Sequence, residues 1–341
     1  MSGTTVELLG AARAGDENAF RDLVEPFRGE LHAHCYRMLG SVHDAEDALQ
    51  DALLRAWRGL TRFEGRSSFR SWLYTIATNT CLDLLARRPK RILPIDYGPA
   101  ADPHAGSDEP LLESVWVEPY PDAPLGLEDG RASPEARYEQ REAVELAFIA
   151  ALQHLPVRQR ATLILRDVLG MSAREVAESL ETTVPAVNSA LQRARSAVDG
   201  RLPDRSQQAT LRSLGDERLR QIVEDYIEAL EKGDLGSIIA MLTEDPTWSM
   251  PPLPGWYQGY DAIAAFLTEG PFREEWRHVP TRTNGQVAVG CYRWDLVEGS
   301  YVASVLDVLT LRGESISDVT AFVDPDVFER FGLPRELPGD G

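Results

Sequence analysis

The 341-residue sequence predicts a multidomain chain of two all-α domains followed by an α+β cone. Three observations carry this reading. Apolar residues recur at helical spacing through residues 1–88 and again beyond residue 134, without strand alternation. A strip rich in Pro, Gly and Asp separates these stretches. In the last third, Asn284-Gly285, Glu298-Gly299 and Arg312-Gly313 follow one another at 14-residue intervals. Apolar and β-branched runs lie between them, which is the pattern of an antiparallel meander. The boundaries read as 1–95, 96–133 for the strip, 134–203 and 204–341.

Charge follows the same division. The chain holds 54 acidic and 35 basic residues, net −19. Residues 1–95 are near neutral (+1), 96–133 carry −8, 134–203 are neutral and 204–341 carry −12. Such a chain is expected to bind DNA poorly unaided, because phosphate neutralisation supplies most of that affinity. No apolar run of about 18 residues is present, so no membrane span is expected. The N-terminus lacks a signal pattern, and Cys35, Cys81 and Cys291 are widely spaced. A reducing cytoplasm is expected, without a disulfide framework or cysteine-based zinc site.

In the first block, Asp44-Ala-Glu-Asp47 reads as a capping-box-like helix start. Leu49, Leu53, Ala56 and Leu60 form a buried stripe. The opposite face holds Asp47, Gln50, Asp51, Arg55 and Arg58 around Leu54. That face is either solvated, with one stray leucine, or a partner surface with an apolar centre. A loop, Arg62–Phe69, follows, and Ser68 can cap a helix to about Arg88. Its inner stripe is Phe69, Leu73, Ile76, Ala77, Thr80 and Leu84; Trp72, Thr75 and Asn79 lie opposite, and Arg87 and Arg88 end it. Aromatic rings there can stack on unpaired bases, or Phe63 and Trp72 can be core. His32 and His34 sit on different helical faces and do not suggest a metal site.

Ser133-Pro134 predicts the start of a helix over 135–154. Ser172-Ala-Arg-Glu175 is a capping box, and Thr182 or Thr183 caps a second helix with Pro185 in its first turn. Val187, Leu191, Ala194 and Val198 face inward. Asn188, Ser189, Gln192, Arg193 and Arg195 face outward, as major-groove recognition requires, although a plain helical hairpin has the same inner stripe.

Together, DAEDALQDALLRAW (44–57), RFEGRSSFRSWLYTIATNTCLDLLARR (62–88) and LPVRQRATLILRDVLGMSAREVAESLETTVPAVNSALQRAR (155–195) resemble an extracytoplasmic-function-type sigma factor of the sigma-70 family. The first block resembles the sigma-two helical bundle and the second the sigma-four helix-turn-helix. The resemblance implies core RNA polymerase and promoter DNA as partners. Asp44, Asp47, Gln50, Asp51, Leu54 and Arg55 would grip the beta-prime clamp helices, with a further contact at the beta flap. The −10 element would meet Phe63, Arg66, Ser67, Ser68, Phe69, Trp72, Thr75, Asn79, Arg87 and Arg88. The −35 element would meet Val184, Pro185, Asn188, Ser189, Gln192, Arg193 and Arg195. The acidic linker would run through the polymerase channel. Its Trp116-Val-Glu-Pro-Tyr-Pro121 patch is expected to dock elsewhere on the protein.

For the C-terminal block, Asp216 starts a helix through Lys232 and Asp234 a second through about Leu242. A strand near Thr247–Met250, a helix at Tyr260–Thr268 and the meander follow. RLRQIVEDYIEALEKGDLGSIIAMLTED (218–245) and PGWYQGYDAIAAFL (254–267) resemble SnoaL-like, ketosteroid-isomerase-like cones. The resemblance implies a regulatory extension, and the extra acidic block with the long aromatic linker suggests that it touches sigma-two or the linker. Trp248, Tyr257, Trp276, His278, Trp294 and Asp307 are candidate pocket residues. Fold analogy does not confer catalysis; no enzyme activity, metal or cofactor is expected, and the free chain reads as a monomer. The alternative is a stand-alone helix-turn-helix regulator with a ligand-sensing SnoaL-like domain.

Overall fold

The computed structural model describes residues 3–65, 67–104, 109–111, 116–122 and 142–339. The chain forms two compact units. One contains residues up to 90 and 151–201; the other contains 91–122, 142–150 and 202–339. The expected helix start at Ser133-Pro134 lies outside the described residues, as does Arg66.

The first unit opens with α1 (Gly3–Arg13), α2 (Glu17–Val24), α3 (Arg28–Leu39), α4 (Val42–Gly59) and α5 (Phe69–Leu85). Gly40, at φ 70°, ends α3 in the left-handed conformation that favours glycine. Ser41 then caps α4, its side chain accepting from the Asp44 N–H at 3.0 Å. The helix therefore starts earlier than Asp44-Ala-Glu-Asp47 suggested. Ala45, Ala48, Ala52 and Ala56 are buried along α4, and such short side chains let neighbouring helices approach closely. Ser68 caps α5, as expected.

Several polar groups inside this bundle are paired, as burial favours. The Thr78 hydroxyl donates to the Tyr74 carbonyl at 2.7 Å and meets His34 Nε2 at 2.9 Å. The Tyr74 hydroxyl donates to Glu30 at 3.0 Å, and Arg70 donates to the same carboxylate.

After α6 (Pro94–Tyr97) come α7 (Leu146–Gln153), α8 (Val157–Leu163), α9 (Ala173–Ser179) and α10 (Val184–Asp199). Arg160 on α8 is 2% exposed. It donates to the backbone carbonyls of Met38, Gln153 and Leu155 and to the Gln153 side chain. Burial lowers its pKa to about 10. This guanidinium ties α8 to the end of α3.

The second unit is built on α11 (Gln207–Glu231), α12 (Leu235–Met241), β1 (Leu242–Ser249), β2 (Trp256–Gln258), α13 (Tyr260–Glu269), β3 (Trp276–Thr283), β4 (Gln286–Asp295), β5 (Ser300–Arg312), β6 (Ser315–Phe322) and β7 (Glu336–Pro338). Strand order is β2-β1-β6-β5-β4-β3, with β7 added to β5. β3 to β6 form the expected antiparallel meander, but β1 joins β6 in parallel and makes the sheet mixed. Gly215 (φ 76°, ψ 163°) breaks α11 just before Asp216, where the sequence places a helix start. The preceding turn of helix is an addition to that reading. Apolar faces of α11, α12 and α13 pack with the sheet around Tyr226, Ile238, Ile263 and Val289.

Burial, aided by Arg37 and Arg70, lowers the His34 pKa to about 3. The folded state then keeps this imidazole neutral while the unfolded state takes up a proton below about 6.5. Stability is full above that value and is lost as pH falls from about 6.5 towards 3. Relative to pH 8, His34 should cost about 1.4 kcal/mol at pH 5.5. Denaturant unfolding at both pH values should show this loss, reduced in His34→Gln; an equal loss in the variant would contradict it.

Candidate functional site

Four surfaces carry the sequence-derived candidates. On α4, Asp47, Gln50, Asp51, Leu54 and Arg55 are all exposed on one face, and Leu54 is 45% exposed. Arg55 donates to Asp83 at 2.8 Å. Asp44 differs: it is 6% exposed and paired with Arg88. The earlier helix start turns it inward, so it is corrected from a surface contact to part of the bundle. Arg88 is correspondingly engaged, and both it and Arg87 are exposed.

At the start of α5, Phe63 and Phe69 are each 5% exposed. Their rings pack with Trp72 at centroid distances of 5.0–5.7 Å. Phe63 thus takes the core alternative, and Phe69 is buried as its place on the inner stripe required. Ser67 and Ser68 are exposed, and Trp72, Thr75 and Asn79 are half-buried. Thr75 donates to the Ser71 carbonyl of its own helix.

The helix-turn-helix assembles from local signals. Ser172 and Glu175 close a reciprocal capping box on α9. Thr183 caps α10, accepting from the Ala186 N–H at 3.3 Å. Val187, Leu191, Ala194 and Val198 are buried. Val184, Pro185, Asn188, Ser189, Gln192, Arg193 and Arg195 are exposed. Arg195 meets Asp167 through two hydrogen bonds, at 2.8 and 2.6 Å.

The segment read as a linker is bound to the cone. Trp116, Val117 and Tyr120 are buried, as the docking expectation required. Arg91 donates to the Trp116 carbonyl at 2.8 Å and pairs with Glu118. Trp256 of β2 donates to the Gly98 carbonyl and accepts from the Ala101 N–H through its own backbone carbonyl. The β3–β4 turn is the main clamp. Asn284 Oδ1 accepts from the Tyr120 N–H at 2.8 Å, and its amide donates to the Val144 carbonyl at 2.7 Å. Thr283 donates to the Tyr120 carbonyl, and the Gly285 N–H donates to Asp122. Next to it, Gln286 accepts from the Leu146 N–H at 2.9 Å. Glu145 accepts from the N–H groups of Gln207 and Gln208 at the start of α11, and burial pushes its pKa up to about 7. The sequence singled out none of Glu145, Gln286 or Gln207. Asn284 was legible only as a turn residue.

The cone holds a cavity of about 70 Å³. Trp248, Trp276, His278 and Asp307 line it, together with Phe266 and Phe272, which the sequence reading passed over. Tyr257 and Trp294 are corrected. Tyr257 stacks on Phe266 at 4.7 Å, and Trp294 packs on Tyr301 at 4.9 Å; neither lines the cavity. Asp307 is 4% exposed and accepts from the Tyr226 hydroxyl at 2.8 Å. Burial raises its pKa.

Asn284→Gly keeps a residue suited to the left-handed turn (φ 54°) but removes the clamp. It leaves two backbone groups without their partner, at about 1–3 kcal/mol each. Hydrogen exchange at the Tyr120 amide should accelerate in this variant; unchanged protection would remove Asn284 as the clamp.

Residues 23–91 match the family described as Sigma-70 region 2, residues 139–198 match Sigma-70, region 4, and residues 223–319 match the SnoaL-like domain. The chain is 42% identical to the ECF RNA polymerase sigma factor SigG of Mycobacterium tuberculosis over 329 residues, covering 95% of this chain and 86% of that protein. It is 30% identical to the ECF sigma factor SigW of Bacillus subtilis over 196 residues, 56% of this chain and 93% of that one. The crystal structure of the M. tuberculosis extracytoplasmic function sigma factor SigJ is similar in fold, with a TM-score of 0.56 and 22% identity over 92% of this chain and 99% of that one. Two sigma-region matches in the order of the helical blocks, and a full-length relative with the same C-terminal extension, make one assignment: the chain belongs to the ECF sigma factors of RNA polymerase.

Proposed function

We propose that this sigma factor works in the cytoplasm, binds core RNA polymerase through the exposed face of α4, and reads promoters through α5 and α10. It is not itself an enzyme. The observation that carries this is the pairing, in one chain, of a charged helix face centred on exposed Leu54 with a helix that presents Asn188, Gln192 and Arg193 outward. An apolar centre in a polar rim suits a protein partner, and outward amides suit base edges in the major groove. Leu54 and its neighbours would meet the beta-prime clamp helices. Ser67, Ser68, Trp72, Thr75, Asn79 and Arg87 would serve the −10 element, with Phe63 and Phe69 supporting their loop. The functional modules would divide at residues 95, 133 and 203.

The extension would act through the linker. Hydrogen bonds from the β3–β4 turn to Tyr120, Asp122 and Val144 support a role in holding it. A linker held there is not free to enter the polymerase channel, so assembly would require its release or the docking of the cone alongside.

Leu54→Asp should lower co-elution with core polymerase at least tenfold while leaving the circular dichroism spectrum unchanged. Retained co-elution would discard the α4 surface. Gln192→Ala should weaken use of one −35 base pair by about 1–3 kcal/mol, measured by transcription from single-base promoter variants. An equal loss on every variant would assign Gln192 to general affinity instead.

A further inference from the structure

The cavity in the cone has no part in the promoter or polymerase contacts above, and its chemistry is specific. Four aromatic side chains line it: Trp248, Phe266, Phe272 and Trp276. Asp307 supplies a carboxyl group to the same wall, and none of the described lining residues is Lys or Arg. The Tyr226 hydroxyl donates to one oxygen of this carboxyl at 2.8 Å. The group beside it best able to hold positive charge, His278, is engaged elsewhere. Its backbone N–H donates to Glu231 at 3.0 Å, and its Nδ1 lies 3.4 Å from the same oxygen.

An acid in an apolar cavity is costly to ionise without a counter-ion. Aromatic faces attract cations through their quadrupole and give nothing comparable to an anion. An acid and four aromatic rings around one void are therefore complementary to an organic cation. Size sets the next limit. The void is about 70 Å³. One water needs roughly 10–15 Å³ measured in this way, so about five non-hydrogen atoms fit.

We propose that the cone binds a small organic ammonium ion, an alkylamine of about five non-hydrogen atoms, with its nitrogen on Asp307 and its chain against Trp248 and Phe266. Such a site makes the extension a receptor in its own right, whether or not the linker clamp governs transcription. An anion of equal size is disfavoured, because it would face Asp307 with neither Lys nor Arg among the described residues of the wall.

The test is ligand-observed NMR on the full-length protein with n-butylamine, 1-butanol and butyrate as probes of nearly equal size. Butylamine should bind saturably, at least tenfold more tightly than 1-butanol, and butyrate should not bind. Asp307→Asn should weaken butylamine at least tenfold without weakening 1-butanol. Ala321→Leu, which fills the cavity from β6, should abolish butylamine binding while the far-UV spectrum stays native; it locates the site even if Asp307→Asn does not fold. Equal affinity for butanol and butylamine, butylamine binding that survives Ala321→Leu, or no saturable butylamine binding at all would overturn the proposal.

Discussion

The second unit depends on the rule that a buried backbone polar group must find a partner. Asn284 satisfies a donor at Tyr120 and an acceptor at Val144 from one side chain. Thr283 and Gly285 complete the pairing on either side. The linker carries an apolar patch, Trp116, Val117 and Tyr120, that is buried here. Hydrophobic burial supplies attraction without register, and the hydrogen bonds of the turn supply the register. An Asn-Gly pair suits this turn because both of its residues take the left-handed backbone that a two-residue hairpin requires.

A second polar hub works in the first unit. Arg160 is almost fully buried and spends its donors on carbonyls at Met38, Gln153 and Leu155. Carbonyl acceptors do not neutralise a guanidinium charge, and burial accordingly lowers its pKa. The two helical modules thus share a polar contact at Arg160.

Much of this was legible in the sequence wherever the signal was local. Ser68, Ser172 and Thr183 cap the expected helices, and the inner stripe of α10 is buried as its spacing required. The three hairpin turns fall where their glycines stand. Errors came where competing local signals looked alike. Ser41 outcompeted Asp44 as the cap, which turned Asp44 inward. Phe63 was open between base contact and core, a choice no spacing decides, and here it and Phe69 pack on Trp72. Glu145, Gln286 and Arg160 were not legible, because their partners lie elsewhere in the fold and no spacing marks a buried polar hub. The cavity was partly legible: Trp248, Trp276, His278 and Asp307 line it as expected, but no local signal marked Phe266 and Phe272.

The charge pattern gives the account its central claim: near-neutral reading modules reach promoter DNA only with a basic partner. The direct measurement is promoter opening by the full-length protein, followed by permanganate reactivity, with and without core polymerase. The account predicts reactive thymines at the −10 element only when polymerase is present. Opening by the protein alone, or none with polymerase on any promoter it supports in transcription, would contradict it.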